Sequence, residues 1–479
     1  MRLSGNANQN SRHSPLDVAS RQNERSSSMT RRQLLQRSAA GFGYLALAGL
    51  CQEASADPRD PLAARTPHFS PRAKRVIFLC MRGGPSQMES FDYKPRLNAD
   101  NGKLSKNKGQ NFFGSQWKFD RHGHSGLWIS ELFPHTAKVA DELCILNGMH
   151  TDNPEHGAAL TQLHTGSFVF DRPSMGSWVL YGLGAENRDL PGFVTVKPPV
   201  ILGGARNYAS SFLPSVYQGT PIGTMSKALK TATVANTKHP KLSLAAQRRQ
   251  LDFLQSLNRG TAERQPANDQ LEGVIESFER GFRMQTGLPR LMDFSDETQA
   301  TLDQYGIGDK KKTDDFGRQC LLARRLAEQD VRFIELTHDN WDHHGFVSRL
   351  MPQKSFEVDQ PMAALLSDLK QRGLLEDTLV IWGGEFGRTP DDPRGDGRGH
   401  QPKGFTMWLA GAGVKPGFVY GATDEYSHEA VEGRVHVHDL HATVLNLLGL
   451  DHTRLTYRHA GRDFRLTDVY GRVVDEILA

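Results

Sequence analysis

At 479 residues, 38% of them hydrophobic and 23% charged, the chain has enough apolar mass for one large globular α/β domain or two smaller ones. Its formal net charge of +4 is only mildly basic and much of the excess lies in the N-terminal arm, so no nucleic-acid footprint is expected. Four cysteines, scattered at positions 51, 80, 144 and 320, are too few for a disulfide framework or a thiolate zinc site, and Cys80, Cys144 and Cys320 read as small hydrophobes.

Residues 1–28 are polar, rich in Ser, Asn and Arg, and without apolar period, which predicts disorder; Met1 and Met29 both remain candidate starts. Arg31 and Arg32 then open a twin-arginine pattern, followed by an apolar stretch over residues 39–50 and by Ala54, Ser55 and Ala56. Those are the charged region, apolar region and small-residue cleavage site of a Tat export signal. The apolar part is too short to span a bilayer, so no stable membrane insertion is expected. Cys51 raises a lipoprotein alternative that Leu50 before it fits poorly. The expected layout is an arm and signal over 1–56, a linker over 57–71 and one domain over 72–479, exported by the Tat machinery to the periplasm or beyond. That route carries folded cargo, which suits a chain that takes up a metal or cofactor before export.

Residues 76–81 (VIFLCM) form a β-rich apolar run and deliver a tight turn, Arg82, Gly83, Gly84, Pro85 and Ser86. The turn is either a cradle of backbone N–H groups with Ser86 beside it, or an ordinary turn. Residues 98–124, rich in Gly and Lys, read as an excursion from the core, and 143–146 as a short apolar run. A helix is expected just after His156 and Gly157, with His156 at its N-terminus, where an anion would be comfortable. His156 is a candidate nucleophile or acid/base, or simply a cap. Two more apolar runs fall within 191–202. Residues 226–306 change character, with helical spacing over 242–257 and 271–282 and no strand between, which predicts a helical insertion.

Phe316, Cys320, Ala323 and Ala327 predict an amphipathic helix over 314–328. A strand over 332–336 (RFIEL) follows and delivers His338, Asp339, Asp342, His343 and His344 within seven positions. Met362, Leu365, Leu366 and Leu369 predict the next helix, and residues 379–382 (LVIW) the next strand. Strand, helix, strand is the crossover unit of a parallel sheet, whose strand ends carry chemistry. The LVIW strand delivers Glu385, Arg388 and, after a Gly- and Asp-rich loop, His400, before another apolar run at 405–410. Leu440, Val444, Leu447 and Leu448 predict a last helix capped by Asp439 and ended by Gly449; His436, His438 and His441 read mainly as structural.

His nitrogens and carboxylate oxygens with a position left for water or substrate are the donor set of hydrolytic divalent metals. Asp342, His344, Glu385 and His400 supply one, with Asp339 and His343 the alternative register. Arg388 would meet an anionic substrate group or pair with an acid.

The motifs GGPSQMESFDYKP, WDHHG, GGEFGRTP, GRGHQPKGFTMWLAG and VHVHDLHATVLNLLGLDH, in this order, closely resemble the Tat-exported domain-of-unknown-function family 1501, of planctomycete type, across nearly all of the mature chain. That family looks like a branch of the alkaline phosphatase and sulfatase superfamily. The resemblance implies a three-layer α/β/α sandwich, alkaline-phosphatase-like, with a mostly parallel sheet and a metal centre at the strand ends. Asp342 and His344, or Asp339 and His343, fall where an Asp and His of one metal site belong, and His400 where its second His belongs. Glu385 stands where the other site has Asp followed by His, but Phe386 follows here, and Arg82, Gly83 and Gly84 occupy the turn where an acid is expected. Counting back from Thr165 and Gly166 puts His156 in the sulfatase nucleophile slot, which argues against a formylglycine enzyme.

The expectation is an exported, metal-dependent hydrolase of phosphate or sulfate esters, with catalytic candidates His156, Ser86 and Arg388 and metal candidates Asp342, His343, His344, Glu385 and His400. The cofactor is a divalent ion, zinc, calcium or magnesium, and the partner an anionic ester such as a sulfated or phosphorylated glycan. The alternative is a non-catalytic extracellular binding or assembly protein on the same fold.

Overall fold

The computed structural model describes residues 60–479 except 108, 233–240, 263, 265–268 and 393–394. The twin-arginine segment, the cleavage site and Cys51 therefore lie outside the described residues.

A nine-stranded mixed sheet forms the centre. Its strands are β1 (Arg75–Met81), β2 (Leu143–His150), β3 (Phe193–Val196), β4 (Thr220–Ile222), β5 (Phe333–His338), β6 (Thr378–Gly383), β7 (Phe405–Ala410), β8 (Phe418–Tyr420) and β9 (Val435–His436). Spatially they run β8-β2-β7-β6-β1-β5-β3-β4, with β9 also beside β2. β6, β1, β5, β3 and β4 pair parallel, as do β8 and β9 with β2, while β7 runs antiparallel to both neighbours. The fold is thus α/β with a mostly parallel sheet. β7 returns antiparallel to β6 after a connection whose described residues form no α-helix.

All seven residues of β1 and all six of β6 are buried, which is why they read as unbroken apolar runs rather than alternating ones. Successive residues nevertheless serve two cores. Val76, Phe78 and Cys80 pack with helices α1 (His156–Thr165), α2 (Met175–Leu183) and, later in the chain, Val437–Leu447. Ile77, Leu79 and Met81 pack with α5 (Asp314–Glu328) and α6 (Val347–Gln371) on the other side. Helix, sheet, helix is the three-layer sandwich. Between α2 and α5 the helices α3 (Leu244–Ala262) and α4 (Asp269–Met292) follow one another.

Several local expectations shift. The second apolar run of 191–202 forms no strand: Pro198 and Pro199 lack N–H donors, and Val200 and Ile201 are 67% and 63% exposed. The residues at 98–124 return to the body of the protein, with Asn111–Phe112 pairing Asp391–Asp392 and the Phe112 ring stacked on Tyr426 at 4.3 Å. The last helix, α7 (Val437–Leu447), is capped by His436 rather than Asp439. Asp439 sits at its third position and accepts the His436 N–H at 2.9 Å, completing a capping box. Cys80, Cys144 and Cys320 are buried and unbonded, and no helix among the described residues is long and apolar enough to cross a membrane.

The turn at Asp424 to Glu429 is held to Asp391 by His428, whose imidazole lies 3.5 Å from the Asp391 carboxylate and 3.5 Å from that of Asp424. Asp391 first and Asp424 second raise it to about 9, against an ordinary value near 6.5. Its folded pKa exceeds its unfolded one, so its stabilisation is fully present below about pH 6.5 and is lost as pH rises through about 9. Urea unfolding of the wild type should therefore show a midpoint that declines between those limits, and His428→Gln should flatten that decline.

Candidate metal centre

The carboxyl ends of β1, β5 and β6 lie side by side, with Met81 opposite His338 and Cys80 opposite Gly383, so the polar turns that follow emerge together. After β6, Gly387–Arg388 and His400–Gln401 pair antiparallel, which sets His400 opposite Arg388. From the neighbouring layer α1 brings His156 in as its first residue. Glu155 caps that helix, accepting the Ala158 N–H at 2.9 Å.

Glu385 is fully buried beneath these turns. It accepts the Gly83 N–H at 2.9 Å and stands 2.6 Å from His156 Nδ1. A carboxylate only accepts, so the Nδ1 proton points at Glu385 and Nε2 faces the opposite way, toward Asp342 Oδ2 at 3.3 Å. His400 Nδ1 meets the Pro154 carbonyl at 2.6 Å, which likewise fixes its proton there and turns Nε2 inward. His400 Nε2 lies 3.2 Å from Asp342 Oδ1 and 3.0 Å from His344 Nε2, and His344 Nε2 is 3.1 Å from the same oxygen. Four side chains from three segments thus converge. The cluster opens to solvent at its His344 and Asp342 side, 50% and 39% exposed, and is closed at His156.

His156, Asp342 and His400 each offer one donor atom within 4.8 Å of the other two, close enough to share a cation, while His344 meets Asp342 and His400 from the open side. A tetrahedral ion with bonds of about 2.0–2.1 Å has its donor atoms about 3.3 Å apart. His156 Nε2 is buried with no hydrogen-bond partner, and the inward lone pair of His400 faces a carboxylate oxygen, acceptor against acceptor. Without a cation a proton must fill that role. Burial pulls the His156 imidazole down, but the Asp342 and Glu385 carboxylates outweigh it and hold it up at about 9. Burial likewise raises the Asp342 carboxyl, yet His156, His400 and the Arg388 guanidinium hold it well below the usual carboxylate range.

The other predicted residues divide. Arg388 is 1% exposed and donates to the Gly83 and Gly84 carbonyls and, at 2.7 Å, to Asp342 Oδ1; it orients that carboxylate from behind. His343 is outside the cluster, buried with Nε2 on the Asn340 carbonyl at 3.0 Å, and burial first and Arg388 second lower it to about 4. Asp339 is taken up by Arg82, and His338 by Glu357. Ser86 is buried, 3% exposed, and its Oγ has no hydrogen-bond partner. The chain turns at Asn340, whose φ of 68° asparagine tolerates. The Gly83–Ser86 turn is no anion cradle at Gly83, because its N–H is already spent on Glu385.

Other contributors carry no sequence signal of their own. The Phe386 ring lies 4.8 Å from that of His156 and 4.6 Å from that of His400, lining the cluster. Arg398, fully buried, is pinned by Glu89 at 2.9 and 2.5 Å and donates to the Thr389 and Phe113 carbonyls, which fixes the loop two residues before His400. Nothing in the sequence ties residue 89 to residue 398.

A family model described as "Protein of unknown function (DUF1501)" matches residues 73–478. No curated protein matches. Among solved structures, the chain is similar to the lipoteichoic acid synthase LtaP from Listeria monocytogenes at 10% identity, over 88% of this chain and 81% of that one, with a TM-score of 0.37. It is similar to the PsFucS1 sulfatase from Pseudoalteromonas sp. at 13% identity, over 78% and 68%, with a TM-score of 0.34. A protein in the alkaline phosphatase superfamily from Vibrio parahaemolyticus is similar at 10% identity, over 82% and 70%, with a TM-score of 0.32.

Two substitutions test how the centre is held. Gly83 has φ +113°, and a Cβ there would lie 2.7 Å from the backbone nitrogens of Trp341 and Asp342, so Gly83→Ala should push the Asp342 turn outward and destabilise the protein, read as a lower unfolding midpoint. Glu89→Ala leaves a buried guanidinium without its acid and should cost about 3–5 kcal/mol in denaturant unfolding.

Proposed function

We propose that this chain, which belongs to the DUF1501 family, is an exported metal-dependent hydrolase of phosphate or sulfate esters. The observation that carries the reading is a cluster on a solvent-open rim in which Asp342 lies 3.3 Å from His156, 3.2 Å from His400 and 3.1 Å from His344, and in which His156, Asp342 and His400 each offer a donor atom within 4.8 Å of the other two. His156, Asp342 and His400 would hold the cation, with His344 beside them at the open side. Glu385 keeps the His156 ring in the tautomer that offers Nε2, as an outer carboxylate does for a metal-bound histidine. Arg388 fixes the rotamer of Asp342.

A divalent ion bound there would supply Lewis-acid polarisation of an ester oxygen. Zinc suits two imidazoles and a carboxylate better than calcium or magnesium, which prefer oxygen donors. The substrate approaches from the His344 side, because His156 and Glu385 are closed beneath. Water is the attacking group in this reading, since Ser86 is buried and the Nε2 of His156 is directed at Asp342. An anionic ester on a glycan, met outside the cytoplasm after twin-arginine export, is the substrate class.

A second reading, a non-catalytic extracellular binding or assembly protein on the same fold, is favoured by one observation. Arg388 is spent on two backbone carbonyls and Asp342, so it is not free to neutralise the charge that develops on a departing ester oxygen.

Metal analysis of the purified mature chain, followed by phosphatase, phosphodiesterase and sulfatase assays with and without chelator, separates the two. The expected outcome is hydrolysis of at least one ester class that chelator abolishes and added metal restores. Asp342→Asn should remove ion and activity together, and Glu385→Gln should weaken metal affinity about 10–100-fold. Stoichiometric metal with no turnover of any ester would establish the second reading.

A further inference from the structure

The sheet face beneath α1 is apolar except at one place. Cys80 on β1, Glu335 and Thr337 on β5 and Thr195 on β3 project together there, since Cys80 pairs with Thr337 and Thr195 with Glu335 in register. His164, the penultimate residue of α1, comes down onto them. Cys80, His164 and Glu335 are 2%, 3% and 2% exposed, and one donor atom from each lies within 4.8 Å of the other two.

The proton positions make this cluster informative. His164 Nδ1 lies 2.7 Å from the Leu160 carbonyl, which can only accept, so Nδ1 carries a proton. Nε2 is then aimed at Glu335 Oε1, 3.2 Å away. Glu335 Oε2 is buried with no partner at all, and so are the hydroxyls of Thr195 and Thr337. A second proton on His164 would answer only the Oε1 contact. It would leave Oε2 and both hydroxyls unsatisfied.

We propose that Cys80 Sγ, His164 Nε2 and the Glu335 carboxylate form a closed zinc site, separate from the rim cluster and enclosed between α1 and the sheet. The donor set selects the metal. One sulfur, one imidazole nitrogen and one carboxylate suit a borderline-soft ion, whereas calcium and magnesium take oxygen donors. The His164 ring is held as a metal-bound histidine is, with its outer N–H on a backbone carbonyl. Thr337 pairs with Cys80 in register, and its buried hydroxyl has no partner. His156 and His164 are eight residues apart on one helix, about 12 Å along its axis, so the two clusters hold different ions. Cys80 thus has a role beyond the small hydrophobe its apolar run suggests. On binding, the thiol gives up its proton to solvent and the ion takes its place, so the ion is acquired while the chain closes around it.

The inference does not depend on hydrolysis or on the rim metal. The full mature chain is dialysed against chelator under native conditions, assayed for zinc, then unfolded in guanidinium and assayed again. About one zinc per chain should survive native chelation and be released only on unfolding. Asp342→Asn should keep that zinc, while Cys80→Ser and His164→Gln should lose it. In protein refolded with cobalt, a thiolate-to-cobalt absorption should appear in the wild type and in Asp342→Asn. Should the Cys80 and His164 variants not fold, X-ray absorption of the chelator-treated wild type decides, since a sulfur neighbour at about 2.3 Å comes only from this cluster. Folded wild type without chelator-resistant metal, or with zinc bound by nitrogen and oxygen alone, would overturn the proposal.

Discussion

The buried carboxylate of Glu385 is the contact on which the rim cluster depends. It sits at the end of β6, accepts from the first turn after β1 and fixes the tautomer of His156 at the start of α1. A carboxyl group at that depth, 0% exposed, needs its hydrogen-bond partners, Gly83 and His156, so the three segments have little freedom to sit otherwise. The geometry of His156 therefore follows from where a glutamate can be buried.

Two guanidiniums extend the same logic outward. Arg388 ties Asp342 to the Gly83 and Gly84 carbonyls, and Arg398 ties the loop before His400 to Glu89. Each is almost wholly buried and each fills its donors with carbonyls and one acid. Both arginines lie on the connection from β6 to β7, whose described residues form no α-helix. Most of the charge in this region serves alignment rather than contact with solvent.

Much of the fold is legible from pattern alone. Strands buried on both faces produce the apolar runs at 76–81, 379–382 and 405–410, and the 3.6-residue spacing of Phe316, Cys320, Ala323 and Ala327 marks a helix whose limits coincide with those observed. The direction of β7 is not legible, since nothing local distinguishes a strand that runs up from one that runs down. In the 338–344 loop there is no period to read, so the choice between Asp339 with His343 and Asp342 with His344 rests on partners elsewhere in the chain, Arg82 and His400. For the same reason Cys80, His164 and Glu335 carry no joint signal: each looks ordinary beside its own neighbours, and only the strand register brings them together.

The sequence distances across the rim cluster have a consequence for how the protein is made. His156 and Glu385 are 229 residues apart, and His400 and Pro154 are 246. Loops of that length close late, after local helices and neighbouring strands have formed. A chain still on the ribosome cannot assemble the cluster until His400 has emerged, however well its first strands have folded.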